Sequence, residues 1–126
     1  MERANVVKEE ITEKEKRFLA VYVEAKNTCL ILLSENEDKL GTLALAVPKT
    51  TDELGLMASS SILVGNKNEI SARMFAEYVA TKKGKIAMVS VYLDKVTEME
   101  ALAYFKRLIE KVLTVEKQKT PEKAAT

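Results

Sequence analysis

The sequence predicts an α+β fold: a mainly antiparallel six-stranded sheet with two helices on one face, in the order β-β-β-β-β-α-β-α. Three observations carry this expectation. Short apolar runs rich in branched and aromatic residues, separated by polar turns, read as strands. Two longer stretches, residues 68–83 and 97–116, repeat their apolar residues at spacings of three and four and read as amphipathic helices. Five strands come before the first helix, an order that favours antiparallel pairing over alternating βα units.

The first strand is read over residues 5–13, where Val6, Val7 and Ile11 are mixed with charge. Lysine and glutamate there suit an exposed edge, because they discourage pairing with another chain. Residues 17–25 (R-F-L-A-V-Y-V-E-A) form a second strand, and Lys26-Asn27 a tight turn in which asparagine tolerates positive φ. Residues 28–34 return as the third strand, and residues 35–39 (E-N-E-D-K) make a polar connection. The fourth strand, residues 40–47 (L-G-T-L-A-L-A-V), stops at Pro48, which has no amide hydrogen to give to a ladder. Residues 49–56 (K-T-T-D-E-L-G-L) have no usable period and read as a mobile loop.

The chain is organised around residues 60–93, a strand, a helix and a strand in close succession. Residues 60–65 (S-S-I-L-V-G) end in glycine. The helix that follows carries Ile70, Met74, Phe75, Tyr78 and Val79 as one expected apolar stripe. Asn66 or Asn68 is its candidate cap, and Lys82, Lys83 and Gly84 close it. Residues 85–93 (K-I-A-M-V-S-V-Y-L) are apolar on both faces, the mark of a strand inside a sheet. Thr97 and Glu100 then form an expected capping box. The second helix presents Met99, Leu102, Phe105, Ile109, Val112 and Leu113, widened by Ala101, Tyr104 and Leu108. One domain over residues 1–116 is expected, with 117–126 (K-Q-K-T-P-E-K-A-A-T) a disordered tail lacking apolar anchors.

Composition narrows the function classes. Twenty basic and nineteen acidic residues are interleaved, leaving no net field to attract nucleic acid. No apolar run reaches the roughly 20 residues of a membrane helix, and the N-terminus lacks a signal-peptide core, so a cytoplasmic location is expected. Without histidine, Ser-His and Cys-His nucleophiles and Cys/His zinc sites are excluded. The carboxylates, among them Glu35, Glu37 and Asp38, sit in turns or among lysines and read as solvated surface. Cys29, in T-C-L-I-L-L, reads as a buried inert thiol with a raised pKa. Residues 65–68 (G-N-K-N) lie where a strand meets a helix and could cradle an anion, but they lack phosphate-loop spacing and read as a capped turn. No catalytic, cofactor-binding or metal-binding residue is assigned. A pocket for a small ligand or regulator under the 49–56 loop is the alternative reading.

Several short stretches, in the same order and spacing, resemble the third and fourth types of proteasome assembly chaperone, the third most clearly. They are Lys39-Leu40-Gly41-Thr42-Leu43 with the strand to Pro48, Ile62-Leu63-Val64-Gly65 followed by Met74-Phe75-Ala76, and the strand from Gly84 to Leu93 with Asp94-Lys95 and Met99-Glu100. The resemblance covers residues 18–112. It implies a non-catalytic, dimeric chaperone without cofactors that binds proteasome α-subunits and helps to assemble the α-ring of the 20S core particle. The dimer is a homodimer or a heterodimer with a related chaperone. In an archaeal member, where one α-subunit usually builds the whole ring, there is no choice between α-subunits to make. Other assembly factors dock through a hydrophobic-Tyr-X tail, which Lys123-Ala124-Ala125-Thr126 does not provide.

Two interaction surfaces are expected. Lys49, Thr50, Thr51, Asp52, Glu53, Leu54 and Gly55, with apolar residues among polar neighbours, are expected to contact the partner. Phe18, Ala20, Tyr22, Leu30, Leu32, Met88 and Tyr92 are expected in a sheet-on-sheet dimer interface. The reasoning is that two helices can cover only one face of a sheet whose strands are apolar on both. The bare face would leave about 600 Å² or more of apolar surface in water, beyond what monomers usually expose. The strands alone do not assign which parity faces the partner.

Overall fold

The structure, a computed structural model, describes the backbone of residues 3–48 and 59–125 and the side chains through residue 114. Its elements follow the expected order: β1 (Asn5–Glu13), β2 (Lys16–Glu24), β3 (Thr28–Glu35), β4 (Thr42–Val47), β5 (Ser59–Val64), α1 (Glu69–Lys83), β6 (Ile86–Tyr92) and α2 (Glu98–Ala125). The six strands form one sheet in the order β1-β2-β3-β6-β4-β5, antiparallel throughout except for the β3–β6 pair. The last strand in sequence is thus inserted at the centre, as its two apolar faces require. β5 and β6 both run antiparallel to β4, so α1 joins parallel strands across it.

Side chains alternate across the strands, and both helices lie on one face. α2 packs on β1 and β2, α1 on β4, β5 and β6. Under α2 the Phe18 ring stacks on Tyr104 at 4.4 Å and meets Phe105 edge-on at 5.7 Å. Under α1 the contact is made by small residues. Ala72, Ala76 and Ala80, four apart, are fully buried, as are Ala44, Ala46 and Ala87 on the strands beneath. With no side chain beyond a methyl on either surface, helix and sheet approach closely.

That fit rotates α1 away from its expected orientation. Phe75 and Val79 are buried, but Ile70 is 76% exposed and Met74 44%. On α2, Ala101, Phe105, Leu108, Ile109 and Val112 are buried while Met99 is 79% exposed. The bounds of α2 extend to Ala125 and take in most of the residues expected as a tail.

The junctions around β6 are held by polar groups. Asn68 stands at the α1 N-cap position with φ 60° and makes no side-chain capping bond. The cap comes from the other helix: the Ser71 amide donates to Glu98 Oε2 at 2.6 Å. Thr97 Oγ1 accepts from the Glu100 amide as expected, but the Glu100 carboxylate pairs with Lys16 on β2 instead of completing a box. Gly41 leads into β4 at a point where an added Cβ would lie 2.1 Å from the Val91 carbonyl oxygen, so only glycine allows that approach to β6.

Candidate interaction surfaces

The face of the sheet without helices is apolar across its centre. One rung runs Val23–Leu30–Met88–Leu45 through β2, β3, β6 and β4, and the next runs Val21–Leu32–Ser90–Leu43. Most of these side chains are half-buried by their neighbours alone. Val47, Leu63 and Ile86 extend the surface outward. At the β1 side it meets a charged rim, where Arg17 pairs with Glu10 at 3.3 Å beside a shallow cavity of about 400 Å³ also lined by Lys8 and Asp38. An apolar centre with a polar rim is the usual composition of a protein–protein interface.

The structure divides the expected dimer residues between the two faces. Leu30, Leu32, Met88 and Tyr92 are on the open face, with the Lys39 ammonium 5.1 Å from the Tyr92 ring. Phe18, Ala20 and Tyr22 are on the other, at 0%, 1% and 0% exposure beneath the helices, and cannot meet a partner there. They belong to even-numbered positions like the other four, but pairing Tyr22 opposite Ile31 reverses the parity between β2 and β3. On β2 the open face is built by Leu19, Val21 and Val23. The expected partner loop, Lys49 to Gly55, lies outside the described residues.

Glu24, at the end of β2, anchors a buried polar cluster. It is 3% exposed, accepts from the Tyr22 hydroxyl at 2.8 Å and from Lys85 Nζ at 2.5 Å, and lies 3.4 Å from Lys83 Nζ. Lys83 at the end of α1 and Lys85 just beyond it thus bracket a buried carboxylate that ties the end of α1 to β2. Cys29 is buried 3.5 Å from the Tyr22 oxygen. Burial pushes its thiol pKa up, and the Tyr22 hydroxyl is likewise raised by burial and by its contact with Cys29. Both groups are held neutral, which suits packing and opposes nucleophilic chemistry.

Glu35, read from sequence as a solvated turn carboxylate, is 4% exposed. Its Oε1 accepts from the amides of Asp94, Lys95 and Val96 at 2.8, 3.0 and 3.0 Å. Burial works to raise its pKa, but those three donors outweigh it and hold the carboxyl below its ordinary value. The cluster fixes the turn into α2. Among the described residues no group of three or more acidic, cysteine or histidine side chains is arranged to hold a metal ion.

The outer surface of the helix layer carries a seam between α1 and α2, where Tyr78 and Leu102 pack partly against the core as expected while Met74 and Met99, expected on the buried stripes, are exposed. Glu98 meets the start of α1, and Lys106 Nζ lies 4.8 Å from the Tyr78 ring, so the two helices run side by side in the same direction. Met74, Tyr78 and Lys82 recur every four residues along α1, and Met99, Leu102 and Lys106 recur at spacings of three and four along α2. The alanines at 72, 76 and 80 are the sequence signal that could have revealed it, since a stripe of alanines packed inward turns the larger residues outward.

No protein-family model matches the chain, and no curated protein does. Among solved structures it is similar to the crystal structure of a novel chaperone complex for yeast 20S proteasome assembly. That likeness has a TM-score of 0.64 at 13% identity and covers 91% of this chain and 96% of that one. The fold is shared along nearly the whole of both chains.

Proposed function

We propose that this protein is a non-catalytic, cytoplasmic assembly chaperone that dimerises through its open sheet face and binds proteasome α-subunits to promote α-ring formation of the 20S core particle. The observation that carries the reading is the fold shared with a subunit of a yeast 20S assembly-chaperone complex over 91% of this chain. Two features of the molecule support it. The open face is an apolar surface with a charged rim, suited to burial against a second sheet. The buried ionisable groups, Glu24, Tyr22, Cys29 and Glu35, bond to one another, to lysines or to backbone amides, as structural groups do. Leu30, Leu32, Met88 and Tyr92 are assigned to the dimer contact, together with Val21 and Val23. The residues from Lys49 to Gly55 remain a proposed partner-binding segment.

The test is reconstitution with purified α-subunits from the same source. Native mass spectrometry should find a complex of the dimer with α-subunits, and α-rings should accumulate faster when the chaperone is present. Absence of any complex at micromolar concentrations of both proteins would sink the reading.

A further inference from the structure

Within that reading, the seam on the outer surface of the helices can be given a ligand. It lies on the opposite side of the sheet from the open face, so it stays accessible when two sheets pack together. At one end it is apolar: Met74 and Met99 are 44% and 79% exposed, and Leu102 is partly buried against the core. Unbranched, polarisable methionine side chains adapt to the contours of a partner, and they serve that purpose on binding surfaces.

At the other end it is cationic. Lys82 of α1 and Lys106 of α2 both reach the Tyr78 ring, their ammonium groups 6.0 and 4.8 Å from its centre. Lys106 has a loose exposed pair with Glu110 at 3.8 Å, and Lys82 has no ion pair among the described residues. Glu24, which meets the same end of α1, is committed to Lys83 and Lys85. Two like charges drawn from different helices onto one ring repel each other, and a carboxylate placed between them relieves that repulsion.

We propose that the α1–α2 seam docks an acidic amphipathic segment of a proteasome α-subunit, with its apolar side chains over Met74 and Met99 and its carboxylates between Lys82 and Lys106. The inference rests on the proposed function. Its charge complementarity would act mainly on the rate of encounter, and its apolar end on the lifetime of the complex.

Binding of purified α-subunit to immobilised chaperone, followed at several salt concentrations, tests it. Two variants are compared with the wild type, Met74→Asp/Met99→Asp and Lys82→Glu/Lys106→Glu. All four positions are on the surface, so thermal melting and dimer mass are expected to match the wild type. Each variant should bind about tenfold or more weakly, the loss expected on disabling an interface anchor. Association should slow with added salt for the wild type, and the lysine variant should lose that dependence. Wild-type binding that both variants retain in full would overturn the seam and leave the proposed function standing. No binding by the wild type would remove the proposed function and the seam with it. A 20-base-pair DNA duplex is run in parallel: duplex binding abolished by the lysine variant, without α-subunit binding by the wild type, would assign the lysines to nucleic acid and overturn the proposal.

Discussion

At the scale of single residues, the buried carboxylates do most to fix the chain's geometry. Glu35 joins the end of β3 to the turn that starts α2 through three backbone amides. Glu35→Gln removes the charge while keeping an acceptor of similar shape, and charge-assisted bonds of this kind support a cost of about 1–3 kcal/mol at neutral pH. The pH dependence has a definite sign. The folded carboxyl titrates below its ordinary value of 4.5, so its contribution is complete above that pH and is lost as the pH falls through the lower, folded value. Urea unfolding of both proteins should therefore give a gap that is constant near neutrality and narrows below pH 4.5. A gap unaffected by acid would mean that the charge of Glu35 does not matter. Sequence could not supply this residue's role. The polar string from 35 to 39 looks uniformly solvated, and the amides that Glu35 serves are about sixty positions away along the chain.

At the scale of elements, strands were easier to read than their partners. β1, β3 and β6 announce themselves by branched residues and polar punctuation, and the two apolar faces of β6 already point to the middle of a sheet. The parallel pairing of β6 with β3 is a long-range choice that no local pattern contains. α1 illustrates a different gap. A reading weighted by side-chain size makes Ile70 and Met74 the buried stripe, whereas close approach to a sheet surface of Ala44, Ala46 and Ala87 selects the alanines. The entry of β4 is fixed in the same way by the absence of a side chain. In Gly41→Ala the new methyl would press on the backbone of Val91 and Tyr92, which cannot rotate aside. A loss of about 2–3 kcal/mol is expected, the range of an overpacked interior site, with β4 shifted along or away from β6. Chemical denaturation measures the loss, and an unchanged midpoint would show that the two strands separate easily.

At the scale of the whole molecule, the two faces of the sheet differ, one closed by the chain's own helices and the other open, and the proposed dimer uses the open one. Light scattering should give twice the subunit mass of 14.1 kDa, and Leu32→Asp with Met88→Asp should return the molecule to the single-subunit value. A wild-type monomer stable at micromolar concentration would remove the sheet-on-sheet dimer. The fold class was legible because five strands precede the first helix, and the bare face followed from counting helices; the division of residues between faces needed the register. The position of β6 also governs the order of events during synthesis. β1, β2 and β3 make a meander, and β4 with β5 a hairpin, but neither piece can close on the other before residues 86–92 have left the ribosome. Until then β3 and β4 each expose a raw strand edge flanked by apolar side chains, a state open to wrong pairing with a neighbouring nascent chain. The proposed chaperone would thus pass through its own vulnerable interval, ended by the arrival of a single strand.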